Sequence, residues 1–186
     1  MNGVHISYEF IFFIDTIMVL SAWLGMFVGI ELFMREILTI KQLLLIGGTL
    51  SVLGLLIASM STAHLYLFTF GYAVLEEFGS GMSYMSPVIC VWEWFPESKG
   101  KYGGFLIASC GFSVFMFSLL STKLVNPDDK KATIFDHTTQ VTYFDESVGS
   151  RVPYMLRFLA LIYAVIILVS VTMISRRKKR STDTIT

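Results

Sequence analysis

The sequence predicts an all-α fold: a multi-pass transmembrane bundle of about five helices. Two observations predict it. Only 15% of the residues are charged against 54% hydrophobic, whereas a soluble domain carries roughly 25% charged residues. Long apolar runs also recur at about the 20 residues that a helix needs to cross a hydrocarbon core. A third observation, the uneven placing of the basic residues, gives the expected sidedness.

The first helix is expected over about 8–33. It contains Glu9, Asp15 and Trp23, and then Gly25 and Gly29, whose spacing lets two helix backbones approach closely. No secretory signal pattern precedes it, so this run is read as a retained helix. A polar connection from Met34 to Gln42 leads to the second helix, about 43–60, which is uncharged and carries Gly47, Gly48 and Gly54. Residues 61–64 read as a tight turn. The third helix, about 65–95, is too long for a hydrocarbon core of about 30 Å unless it tilts, bends or protrudes. Gly79, Gly81 and Pro87 offer places to bend.

A polar hinge, Pro96-Glu97-Ser98-Lys99-Gly100-Lys101, separates it from the fourth helix, about 101–125. A polar, acidic loop over 126–152 follows. The fifth helix, about 153–175, is almost wholly aliphatic after Arg157, and a basic tail, 176–186, contains Arg176-Arg177-Lys178-Lys179-Arg180.

Basic residues favour the cytoplasmic side of a membrane. With five spans and a cytoplasmic tail, Arg35, Lys41, Lys99, Lys101 and the five tail residues share one side, nine of the fourteen. The expected topology is therefore N-terminus outside, tail and hinge inside, and the acidic loop outside. The tail reads as a topology signal that could also meet anionic lipid, so the lipid bilayer is the expected partner and nucleic acid is not.

Asp15, Glu76 and Glu77 fall within apolar runs. Intramembrane carboxylates are costly and usually face a water-filled cavity or a partner. They are candidates for proton coupling or for contact with a substrate cation; lying near an interface is the alternative. Gly79, Gly81, Tyr84 and Pro87 form a second group. The glycines bring a ligand or a neighbouring helix near the backbone, Tyr84 adds a hydroxyl, and Pro87 frees a carbonyl of the previous turn. Helix packing with an incidental Tyr explains the same pattern. Trp92, Trp94 and Phe95 suit an interfacial anchor. Cys90 and Cys110 read as small packing residues. His5, His64 and His137 are scattered, no phosphate loop or nucleophile motif occurs, and no metal, cofactor or enzyme activity is expected.

The run Gly79-x-Gly81-x-x-Tyr84-x-x-Pro87, followed by Trp94-Phe95-Pro96-Glu97-x-Lys99-Gly100 and Gly103-Gly104, resembles the major facilitator superfamily. It looks closest to the branch of oxalate/formate antiporters and monocarboxylate transporters. Asn126-Pro127-Asp128, Tyr143-Phe144-Asp145 and Arg151-Val152-Pro153 resemble the external loop and sixth-helix entry of that branch. The resemblance implies an N-terminal-half piece, family helices two to six, with the first helix and the second half to be supplied by further polypeptide, a partner or a homodimer. It implies alternating-access transport of a small solute, such as a monocarboxylate or other organic anion. Tyr84 and the Gly79/Gly81 surface would line the pathway, with Glu76 or Glu77 as coupling carboxylates and Lys99 to Lys101 as the cytoplasmic hinge. The stretch Gly29 to Lys41 keeps Arg35 and little else of the family's Asp-Arg loop motif. A non-transporting accessory protein or degenerate remnant is the alternative.

Overall fold

A computed structural model describes residues 8–136 and 141–174. The basic tail, His5 and His137 lie outside the described residues. Helix α1 spans Tyr8–Met34 and α2 Ile40–Met60. Four described helices are long and apolar enough to cross a membrane, by length and composition: Phe10–Met34, Ile40–Met60, Pro96–Val125 and Glu146–Met173. The remaining long run is built of three pieces in succession: α3 (Leu65–Thr69), a π-helical segment (Phe70–Glu76) and α4 (Glu77–Trp94). It is the expected third span, made more polar than the others by its glutamates. Helix α5 covers Lys99–Val125 and α7 covers Val152–Met173.

α2 begins earlier than the apolar run alone suggests. The Thr39 hydroxyl accepts from the Gln42 amide, while the Gln42 side chain accepts from the Thr39 amide. This reciprocal capping satisfies amides that the first turn leaves without a helical partner. Before it, α1 closes with an Arg35–Glu31 ion pair at 2.6 Å, and Glu36 turns the chain with φ 58°.

α2 is the centre of the fold. Its buried Ile40 and Leu43 pack with Met82 and Ile89 of α4, and its Leu55 and Ala58 pack with Leu156, Leu159 and Ala160 of α7. The outward faces carry large apolar side chains such as Phe12, Trp23, Phe27, Phe112 and Leu168, as helices facing lipid should.

Glycines set how closely the helices meet. A methyl built at Gly54 would lie 2.5 Å from the Glu76 amide nitrogen and 2.6 Å from the Gly71 carbonyl oxygen. The π segment, which swells a helix by an extra residue per turn, thus sits where α2 has no side chain. Ser51, one turn earlier on α2, donates its hydroxyl to the Glu76 carbonyl at 3.0 Å. On the other flank, a methyl at Gly25 of α1 would overlap the Phe78 carbonyl.

The expected hinge is more ordered than an irregular joint. Pro96–Ser98 forms a 3-10 turn, and Lys99, Gly100 and Lys101 already belong to the first turn of α5. The rings of Phe95 and Tyr102 stack across the turn with centroids 3.9 Å apart. The acidic loop also has structure that its composition did not suggest. Ile134–Asp136 (β1) pairs antiparallel with Val141–Tyr143 (β2), and a short helix α6, Glu146–Gly149, leads into α7.

A candidate solute pathway on the open face of α4

α4 is flanked on two sides, and its helical wheel shows what remains. At about 100° per residue, its buried residues Gly79, Gly81, Met82, Ser86 and Ile89 occupy one arc. Gly79 lies against Gly47 and Ser51 of α2, and Gly81 against Ala22 of α1. These glycines are therefore helix–helix packing positions and do not line an open surface. The packing explanation holds for them.

The opposite arc carries Glu77, Ser80, Tyr84 and Pro87. Tyr84 and Pro87 are half-buried and Ser80 is exposed. Tyr84, expected as a pathway residue, thus shares the open face with Glu77, although the two expected glycines do not. Glu76, the last π residue, is buried, with 8% of its surface exposed. Its main-chain carbonyl takes the Ser51 hydroxyl, and among the described residues its carboxylate has no hydrogen-bond or ion-pair partner. Glu77, Tyr72 and Tyr163 lie within Coulombic range of it.

Two grooves run along this face. The first, about 370 Å³, lies between α1 and α4 and brings Asp15 and Glu77 together beside Trp23 and Met26. Asp15 is exposed at its rim. The second, about 400 Å³, lies among α2, α4, α5 and α7. Its polar groups are Ser51, Ser80, Ser83, Ser113 and Tyr163. Sequence reading passed over this set because its members come from four helices at no common spacing. The one available signal was Tyr163, a hydroxyl midway along an otherwise aliphatic stretch of α7.

α5 forms the outer wall of the second groove. It carries no buried residue along its length, and side chains built at Gly103, Gly104 and Gly111 would meet nothing within 4 Å. The expected hinge residues Lys99, Gly100 and Lys101 stand apart from both grooves. Lys101 lies over the Tyr102 ring, its nitrogen 5.7 Å from the centroid. Among the described residues no cluster of His, Cys, Asp and Glu could hold a metal ion.

The fold and this face define a multi-pass α-helical membrane protein. The chain is similar to Apicoplast pyruvate carrier 1 of Toxoplasma gondii, at 29% identity over 164 residues. That match covers 79% of this chain and 30% of the relative, so the chain spans about a third of the length of the carrier it resembles. No protein-family profile matches the chain, and no solved structure matches it.

Proposed function

We propose that the chain forms part of a membrane carrier for a small monocarboxylate, with pyruvate the first solute to test. The observation that carries the proposal is the asymmetry of α4. One arc, with Gly79 and Gly81 at its closest approaches, is packed against α1 and α2, while the other presents Glu77 to one groove and Ser80 to a second. A lipid-facing helix has no use for such groups, because an ionisable side chain in hydrocarbon is expensive. The similarity to a protein named as a pyruvate carrier supports the solute class.

The finer parts of the proposal follow from the major facilitator resemblance. Transport proceeds by alternating access between two halves, of which this chain supplies most of one, and a homodimer or further polypeptide completes the other. Sites in such carriers lie near the midplane between repeats. The tail and the Pro96–Lys101 turn face the cytoplasm. Glu76, buried and among the described residues without a partner for its carboxylate, is the coupling group, and Tyr84 lines the route.

Uptake of labelled pyruvate by the protein reconstituted in lipid vesicles tests the proposal. Saturable uptake above that of empty vesicles is expected. Uptake no greater than in empty vesicles overturns it and leaves the non-transporting accessory protein.

A further inference from the structure

We infer that the groove between α1 and α4 is the docking surface for a further membrane-spanning helix that carries a Lys or Arg near its middle. The inference goes beyond the carrier reading: it names the partner of this face and makes no claim about the solute's seat. Asp15 of α1 and Glu77 of α4 line one groove of about 370 Å³. Among the described residues neither carboxylate has a hydrogen-bond or ion-pair partner. Gly81, one turn beyond Glu77, meets Ala22 near the middle of the 27-residue α1, so the groove lies well inside the span. Ionisable groups at such depth pair with one another or face a cavity, because hydrocarbon solvates them poorly.

A second, independent feature of the groove also calls for a cation. Trp23 lines it with 68% of its surface exposed, and a cation is drawn to the face of an indole ring, more strongly where water is excluded. Asp15, Val19 and Trp23 follow one another at four-residue spacing, so they share one stripe of α1 and can meet one partner helix along its length. Glu76, 8% exposed, stands close by, and Tyr72 lies within Coulombic range of Asp15, Glu76 and Glu77 alike. Three carboxyl groups therefore gather where the described residues supply no positive charge.

The occupant is a helix and not a free ion. Met18, Val19 and Met26 give the groove an apolar wall. A free cation would leave that wall and the ion pair facing lipid, whereas a cation borne on a helix brings its own apolar cover. A second copy of this chain does not suit. α1 and the stretch between Lys41 and Lys99 contain no Lys or Arg, Lys123 lies in the last turn of α5, and Arg157 in the first two turns of α7. No described span of the chain presents a cation at the depth of Glu77. The matched stretch is 30% of the carrier that the chain resembles, which leaves ample polypeptide in a protein of that kind to supply such a helix.

The test uses the full chain in phosphatidylcholine vesicles with Trp92→Phe and Trp94→Phe, which leaves Trp23 as the sole tryptophan. The probes are two dansyl-labelled synthetic helices of alternating Leu and Ala, about 20 residues long, alike except for a central Arg or a central Gln. Energy transfer from Trp23 is expected to reach half its maximum at a peptide-to-lipid ratio at least about tenfold lower for the Arg helix than for the Gln helix. With Asp15→Asn and Glu77→Gln together, the two helices should transfer alike. Equal transfer from both helices without those two changes would overturn the inference, and that comparison needs no charge variant, so a variant that fails to fold cannot obscure it. An Arg preference that survives both substitutions would also overturn it, since the cation would then be held elsewhere. A third result would overturn it in favour of a second copy: with Cys90→Ala and Cys110→Ala, disulfide-linked dimers forming more readily through Val19→Cys than through Phe112→Cys, an exposed control on α5. Pyruvate is absent throughout, so failure here leaves the carrier reading standing, and a lack of pyruvate uptake leaves this one standing.

Discussion

The Ser51 hydroxyl donates to the main-chain carbonyl of Glu76 across 3.0 Å, tying α2 to the π segment at the residue where it gives way to α4. A π turn disturbs the regular carbonyl pairing of a helix, and in a membrane interior water is not at hand to make good the loss. The Ser51 side chain of the neighbouring helix supplies a donor at this point.

Ser51→Ala should therefore destabilise the protein by about 1 kcal/mol, read as a lower midpoint of thermal unfolding in detergent. Ser51→Thr, which keeps the hydroxyl, should recover much of the loss. Equal melting of the Ala variant and the parent would show that the bond contributes nothing.

Gly54 and Gly104 make a matched pair. Leu at Gly54 must displace the Gly71 carbonyl and the Glu76 amide, and overpacking of that kind costs about 1–3 kcal/mol or more. Ala at Gly104 meets nothing within 4 Å and should raise stability by up to about 1 kcal/mol through helix propensity. Thermal melting of the two variants in one detergent checks the opposite signs.

Glu76→Gln keeps the shape of the buried side chain and removes its proton. If Glu76 couples proton movement to transport, uptake by the parent varies with pH and uptake by the variant does not. Among the described residues, the ionisable groups near Glu76 are Glu77, Tyr72 and Tyr163. Glu77→Gln is therefore the necessary companion. A pH profile unchanged in both variants removes proton coupling through either carboxylate.

Outside the membrane, the Ser147 hydroxyl donates to the Asp145 carboxylate at 2.8 Å, and Lys130 donates to Ser147 at 2.9 Å. The Ser147 hydroxyl first, and the Lys130 charge with it, hold the Asp145 carboxyl below its usual range. The sign follows from linkage. A folded-state value below the unfolded one gives stabilisation that is present at neutral pH and is lost as pH falls through the lowered folded value. Titration of the Asp145 carboxyl by NMR should show the depressed value, and Ser147→Ala should return it toward that of an ordinary aspartate.

Much of the helical plan was legible because hydrophobic length is a strong signal when lipid is the solvent. The runs around Leu55 and Leu159 could hardly be anything else. The start of α2 was legible too, in the Thr39-x-x-Gln42 pattern, but apolar length drew attention to Leu43 instead. β1 and β2 are three residues each, too short for alternation to stand out within a polar loop. The candidate site was legible in part. Tyr84 and Glu77 fall on the open face of α4, whereas Gly79 and Gly81 turned inward, since a glycine reports close approach without saying whose. The π segment carries no mark in Phe70–Glu76 that separates it from an ordinary helix. The serine groove is a tertiary fact, with members far apart along the chain.

The Phe95–Tyr102 stack bears on how force would pass through the molecule. α1, α2 and α4 are locked by backbone contacts that admit no side chain, so they move as one block. α5 joins that block through a three-residue turn and the Phe95–Tyr102 rings, and farther along Phe117 and Leu120 pack on the cluster around Leu55 and Leu156. Stacked rings can slide over each other at a cost of about 1 kcal/mol without breaking a main-chain hydrogen bond. A swing of α5 against the block would thus turn at this greasy bearing and must also unseat Phe117 from Tyr163 at its far end.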